Sequence, residues 1–274
     1  MFRKLCKYEW TAMMRAMFPI YGALLAVSLI NGLLFNLGLM ENSGLGALPI
    51  AAYIQVIAVF SFVAVMAAMA VFTIVVIIQR FYKGLLRQEG YLMFTLPVKT
   101  WQLTFSKACI SLIMACFSMI VGCLSLGLLF SANFFPALFS LPRQIASLIS
   151  EAVSYDAAGT LNFGLFCLEL LAAVIISAFG SLYHLYLSMS LGQLSKNHKI
   201  AFSVLWYIVI NAVLNLLEVF LLNLFLFLPD MIRLLNGSIL ILHLIGLGLL
   251  FLGLVKTVLF AGTTNWILDR KLNL

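Results

Sequence analysis

Residues 79–107 read QRFYKGLLRQEGYLMFTLPVKTWQLTFSK, a polar island between two long apolar runs. Arg80, Lys83, Arg87, Lys99 and Lys107 place five of the sixteen lysines and arginines in this small fraction of the 274 residues. The chain around the island is 64% hydrophobic and 9% charged, with a mean hydropathy of +1.15. Globular domains are roughly half apolar and a quarter charged, so the composition reads as an all-α integral membrane protein. Apolar runs at about 18–39, 50–78, 106–131, 161–190, 200–228 and 239–261 are each long enough to span as a helix of about 20 residues. Six transmembrane helices follow, forming a single membrane domain over 18–274 with a cytoplasmic loop at 79–107.

The connections alternate in basic content. Arg3, Lys4, Lys7 and Arg15 precede the first run, the island adds its five, Lys196 and Lys199 follow the fourth run, and Lys256, Arg270 and Lys271 lie at the end. The intervening loops near 40–49, 132–160 and 229–238 hold only Arg143 and Arg233. The positive-inside rule then places both termini and the island in the cytoplasm. In a membrane protein this distribution carries more information than the net charge of +7, and no nucleic-acid partner is inferred from it.

Residues 1–17 wind into a helix with Phe2, Leu5, Cys6, Trp10, Met13 and Met17 on one side and Arg3, Lys4, Lys7, Thr11 and Arg15 on the other. This pattern predicts a basic amphipathic helix in the headgroup plane, with Pro19 marking the change to the first span. Glu9 falls inside the apolar arc, so either a protein partner covers it or the carboxylate snorkels. The apolar run after it is too long for a cleaved leader. In the long loop, RQIASLISEAV (Arg143–Val153) is compatible with a short surface helix, either a cap or a gate. Ala64, Ala67, Ala68 and Ala70 offer a small-residue face to the bundle interior or to a dimer seam. Cys109, Cys116 and Cys123 recur every seven residues and read as small apolar fillers.

Two carboxylates, Glu169 and Glu218, lie at similar depth inside predicted spans, a costly placement that marks an interior, a cavity or a partner. Tyr207, Asn211, Asn215 and Glu218, spaced 4, 4 and 3, share one helix face. This stripe lines a water-filled path or binds a cationic amphipathic cargo, or else makes interhelical hydrogen bonds. His184, amid Tyr183 and Tyr186, reads as a neighbour of an interfacial aromatic belt. No HExxH, GxSxG or GxxxxGKS/T pattern is present, so the chain is expected to be no enzyme and to bind no ATP through a P-loop of its own.

The stretch EGYLMFTLPV (Glu89–Val98) with WQL at Trp101 and SK at Ser106, FRKL at Phe2, KYE at Lys7, MSLGQL (Met189–Leu194) and ILDRKLN (Ile267–Asn273) together resemble ABC-2 type permease subunits of bacterial ABC transporters. The likeness is nearest to small six-helix Gram-positive permeases, among them exporters of phenol-soluble modulins and immunity transporters for antimicrobial peptides. It implies a multi-pass protein of the bacterial cell membrane, paired as a homodimer or with a similar permease. Two cytoplasmic ATPase subunits would bind ATP and magnesium, and the cargo would be an amphipathic peptide. The N-terminal helix (Arg3, Lys4, Lys7, Glu9) would correspond to the family's elbow helix. A coupling helix would fall within the island at Tyr82, Lys83, Arg87, Gln88, Glu89, Gly90 and Tyr91, with Lys99, Trp101 and Lys107 as interfacial anchors. Closure of the ATPases is expected to rotate the second and third spans and open a path near the fifth helices. A gradient-driven carrier using Glu169 and Glu218, or a membrane scaffold without transport, are the rival readings.

Overall fold

The computed structural model describes residues 2–36, 49–86, 99–130, 139–144, 147, 157–195, 198–226 and 239–270. Among these, six long helices are present and no strand: α1 (Phe2–Asn36), α2 (Pro49–Leu86), α3 (Thr100–Phe130), α4 (Ala157–Gln193), α5 (Lys199–Leu226) and α6 (Ile239–Arg270). All six are long and apolar enough to cross a membrane. An apolar solvent leaves backbone amides no partner but their own helix, which is why such runs wind without interruption. The helices run from 28 to 38 residues, about 42 to 57 Å at 1.5 Å per residue. That exceeds a hydrocarbon core of about 30 Å, so each helix carries turns beyond its span.

The excess changes the reading of the island. Instead of a loop over 79–107, α2 continues to Leu86 and α3 begins at Thr100. Residues 87–98, and with them Arg87, Gln88, Glu89, Gly90 and Tyr91, lie outside the described residues. So does most of the expected surface helix at 143–153, although 139–144 is helical and Gln144 donates to Ser140 Oγ at 3.0 Å.

The N-terminal helix also differs from expectation. Helix α1 runs unbroken through Pro19, so the structure shows no break between a surface helix and a first span. The reason lies in its buried stripe, since Met13, Met17, Tyr21, Leu24, Ser28 and Asn31 are all buried at steps of three and four. Packing along one continuous face offsets the hydrogen bond that proline forfeits.

The chain divides into two compact units. Unit 1 comprises 1–80 and 109–144. Its core joins Met13, Met17, Tyr21 and Leu24 of α1 to Phe62, Met69 and Val76 of α2 and to Ile110, Met114, Val121 and Leu129 of α3. Met14 and Met66 pack against this core, and the unbranched thioethers fill gaps between helices that branched side chains would leave. Three polar links cross the apolar packing. The Tyr21 hydroxyl meets Ser118 Oγ at 2.7 Å, Thr73 Oγ1 lies 3.2 Å from the same Ser118, and Asn31 Nδ2 donates to the Ala58 carbonyl at 2.8 Å. Gly32 sets the closest approach, because a Cβ there would lie 2.2 Å from the Leu128 carbonyl oxygen. Ala64, Ala67, Ala68 and Ala70 are all exposed, so the expected small-residue face is not the interior of this unit. Cys116 and Cys123 are likewise exposed and Cys109 half-buried, which removes the filler role.

Unit 2 comprises 81–108 and 145–274. The α4–α6 seam is built on glycines: a Cβ at Gly180 would lie 3.0 Å from Thr257 Oγ1, and one at Gly253 would lie 3.3 Å from Ile176 Cγ2. Thr257 Oγ1 donates across the seam to the Ile176 carbonyl at 3.1 Å. Without a hydrophobic drive in lipid, such close backbone approach is what holds helices together. Helix α5 turns back tightly on α4, since a Cβ at Gly192 would fall 1.9 Å from Ser203 Oγ. At this connection His198 holds φ 54°, a left-handed conformation in which histidine is one of the few enriched non-glycine residues. Its carbonyl accepts the Phe202 amide at 3.1 Å, starting α5.

Candidate functional site

One end of unit 2 gathers the segments that the sequence reads as cytoplasmic. Phe81, Leu85, Leu103, Thr104, Ser106 and Lys107 at the two ends of the island, and Ala108 beside it, are buried, as are Tyr186, Ser190, Thr264, Ile267 and Leu268 of α4 and α6. Phe81 stacks on Tyr186 with ring centroids 4.0 Å apart and planes 8° apart, and Phe105 stacks on Phe179 at 6.0 Å. Thr104 Oγ1 donates to Asn265 Oδ1 at 2.8 Å, and the Thr100 hydroxyl donates to Asp269 Oδ1. The island is therefore rooted in α4 and α6 by a ring stack on the α2 flank and by a ring stack and two hydroxyls on the α3 flank.

Of the coupling residues read from sequence, Tyr82 is half-buried and Lys83 is exposed in the last turn of α2, where a cation suits the helix's negative end. Lys107 departs from its expected role as an interfacial anchor. It is 3% exposed, and its Nζ lies so near Gly84 that a Cβ there would approach it to 2.7 Å. Trp101 is 50% exposed and Lys99 is exposed, compatible with that role.

On α1, Arg3, Lys4 and Lys7 are exposed and Glu9 is 2% exposed. The amphipathic division is thus present, and the carboxylate falls on its buried side.

The intramembrane polar groups resolve into three arrangements within unit 2. Glu169 on α4 pairs with His243 on α6, Oε1 to Nδ1 at 2.9 Å. Both side chains are about four-fifths covered. Gly246 makes the room, because a Cβ there would lie 2.8 Å from Glu169 Oε2. Phe166 presents its ring edge-on to the imidazole, with centroids 6.4 Å apart.

Glu218 on α5 meets Lys256 on α6, Oε1 to Nζ at 3.3 Å. Here the carboxylate side chain is 55% exposed and the lysine 31%. Lys256, counted from sequence with the cytoplasmic end, instead sits inside the α6 span. The partner residues His243 and Lys256 are thirteen positions apart on α6, about 20 Å along the axis, so the two pairs are distinct sites.

His184 is 5% exposed, sandwiched between Tyr207 at 4.6 Å and Phe260 at 5.4 Å. It is a buried link between three helices instead of a belt residue. Tyr207 thus turns partly inward, while Asn211, Asn215 and Glu218 stay exposed on α5, and Ser203 alone of that helix's described residues is buried. The stripe expected from sequence shares one helix face, of which Tyr207 packs on His184, Glu218 meets Lys256, and Asn211 and Asn215 stay exposed.

Sequence reasoning missed His243 and Lys256 as partners. Their carboxylates lie 74 and 38 residues away, beyond any local spacing rule. The available signal was each residue's place in or beside an apolar run, which by itself asks for a counter-charge. Among the described residues no group of three or more His, Cys, Asp or Glu could hold a metal ion. No family model, curated protein or solved structure matches the chain.

Proposed function

We propose that the chain is the membrane permease subunit of an ATP-driven bacterial exporter, acting as a homodimer or with a similar permease in the bacterial cell membrane. Two cytoplasmic ATPase subunits supply ATP and magnesium binding. The cargo is an amphipathic or lipophilic compound, with peptides of the phenol-soluble modulin or antimicrobial type as the leading class. The supporting observation is the rooting of the island in α4 and α6 through Phe81–Tyr186 and Thr104–Asn265. A force applied to residues 87–98 reaches the α4–α6 seam through these contacts, and through it α5. The exposed face bearing Asn211, Asn215 and Glu218 is where a second copy and a cargo meet the chain. The N-terminal part of α1 takes the elbow position, with Glu9 on its covered side.

The test is co-purification with an ATPase chain and ATP hydrolysis stimulated by amphipathic peptide in reconstituted vesicles. Joint replacement of Arg87 and Glu89 by alanine is expected to abolish that stimulation while leaving membrane insertion intact. Full stimulation in this variant removes the island from the coupling route.

A gradient-driven carrier is favoured by one specific observation, the covered Glu169–His243 pair, since titratable groups paired between two spans are what proton coupling requires. Export by the chain alone in vesicles carrying only a proton gradient would select this reading over the first.

A further inference from the structure

We infer that Lys256 is a tethered competitor for the cargo's cationic group, occupying Glu218 until an amphipathic peptide's own ammonium displaces it. This rests on the export reading above and names the chemistry of its cargo.

The two intramembrane polar pairs differ in construction. Glu169–His243 is closed in, with a 2.9 Å contact, side chains about 20% exposed and a glycine opposite to admit the carboxylate. Glu218–Lys256 is open, with a 3.3 Å contact to one carboxylate oxygen and more than half of the Glu218 side chain exposed. That distance is long for a charge-assisted bond, which usually measures about 2.7–2.9 Å. The lysine crosses from α6 to reach a face of α5 on which Asn211, Asn215 and Glu218 are exposed.

An exposed carboxylate on a membrane-spanning helix is costly without a counter-ion, so the departure of Lys256 is costly unless another cation arrives. Exchange of one ammonium for another keeps the net charge in the membrane constant, which makes the swap cheap where net ionisation is not. The surroundings select the incoming group. Asn215 and Asn211 lie one and two turns from Glu218 on the same face and offer amide donors and acceptors. Exposed Val204, Ile208 and Leu216 on α5 offer apolar contact. The fitting ligand is an amphipathic helical peptide with a lysine in or beside its apolar face, its helix against α5 and its ammonium at Glu218.

The experiment measures binding of a dansylated amphipathic leucine–serine helix with one lysine, and of the same peptide Nε-acetylated. The full chain is held in nanodiscs of phosphatidylcholine and phosphatidylglycerol, lipids without a primary amine. Lys256→Met is expected to tighten the lysine peptide about fivefold, the worth of one intramembrane polar contact, and to leave the acetylated peptide unchanged. Glu218→Gln is expected to abolish the preference for lysine over acetyl-lysine. Lys256→Gln must reproduce the gain, which keeps the test available if the methionine variant does not fold. Weaker or unchanged lysine-peptide binding in the folded Lys256 variants overturns the inference, as does an equal gain for the acetylated form or no binding by any variant. Binding needs no ATP, and export of a neutral lipophilic dye with the ATPase present is read separately. Dye export without this binding pattern removes only the tethered competitor, whereas the binding pattern without ATPase-dependent export removes only the exporter reading.

Discussion

Replacing Phe81 tests whether the island is rooted where the packing says it is. Phe81 and Tyr186 are both fully buried and stacked at 4.0 Å. Truncation to alanine removes a whole ring from a site with no solvent access, which costs about 3–5 kcal/mol in a core that relaxes only partly. The stacked geometry accounts for about 0.5–1.5 kcal/mol of this. Phe81→Leu restores most of the apolar volume but not the stack, so it should cost about 1 kcal/mol. Reversible unfolding in mixed lipid and dodecyl sulfate micelles, followed by tryptophan fluorescence, gives both values. A double-mutant cycle with Tyr186→Leu should return a coupling of about 1 kcal/mol. A loss below about 1 kcal/mol for Phe81→Ala, or full additivity in the cycle, refutes the buried stack and with it the route from the island to α4.

Three further outcomes follow from the packing. Gly32→Ala puts a Cβ 2.2 Å from the Leu128 carbonyl oxygen, and because the obstacle is backbone, the thermal unfolding temperature of the chain in detergent should fall clearly below wild type. Gly192→Ala meets Ser203 Oγ at 1.9 Å and its Cα at 2.7 Å, so Ser203→Gly should restore only part of the lost stability, and full rescue would mean that the α4–α5 turn is looser than described. For Glu169→Gln and His243→Phe, a double-mutant cycle should give an interaction of about 0.6–1.7 kcal/mol, and a value of zero would leave the pair without energetic weight.

The spans were legible because each is a long apolar run, a signal that survives ignorance of every contact. Their ends were not. The residues just beyond the hydrocarbon region are of mixed polarity, so Phe81–Leu86 and Thr100–Lys107 read as loop until the rings and hydroxyls were seen to pack. The amphipathic arc at 2–17 was legible, including the placement of Glu9 within it, since helix periodicity alone fixes which residues share a face. The continuity of α1 through Pro19 was not, because it depends on a stripe of methionines finding partners in α2 and α3. For the polar groups, periodicity put Asn211, Asn215 and Glu218 on one face, and the structure keeps them there. The Lys256–Glu218 contact was not legible, because a lysine near the end of an apolar run looks the same whether it reaches for water or for a carboxylate on the next helix.

The last turns of α4 restrict how unit 2 is able to move. From Leu182 to Gln193 nearly every residue is buried, whichever way it points, whereas from Gly164 to Ile175 Ala173 alone is. A rod enclosed on all sides cannot spin about its axis, because each degree of rotation would exchange every neighbour at once in a close-packed medium. Displacement at that end is carried as a tilt or a slide of the whole piece. Such a displacement would be largest at the far, lightly covered end of α4, where the Glu169–His243 contact ties it to α6, so that the two helices would swing as one arm about the end clamped at Tyr186.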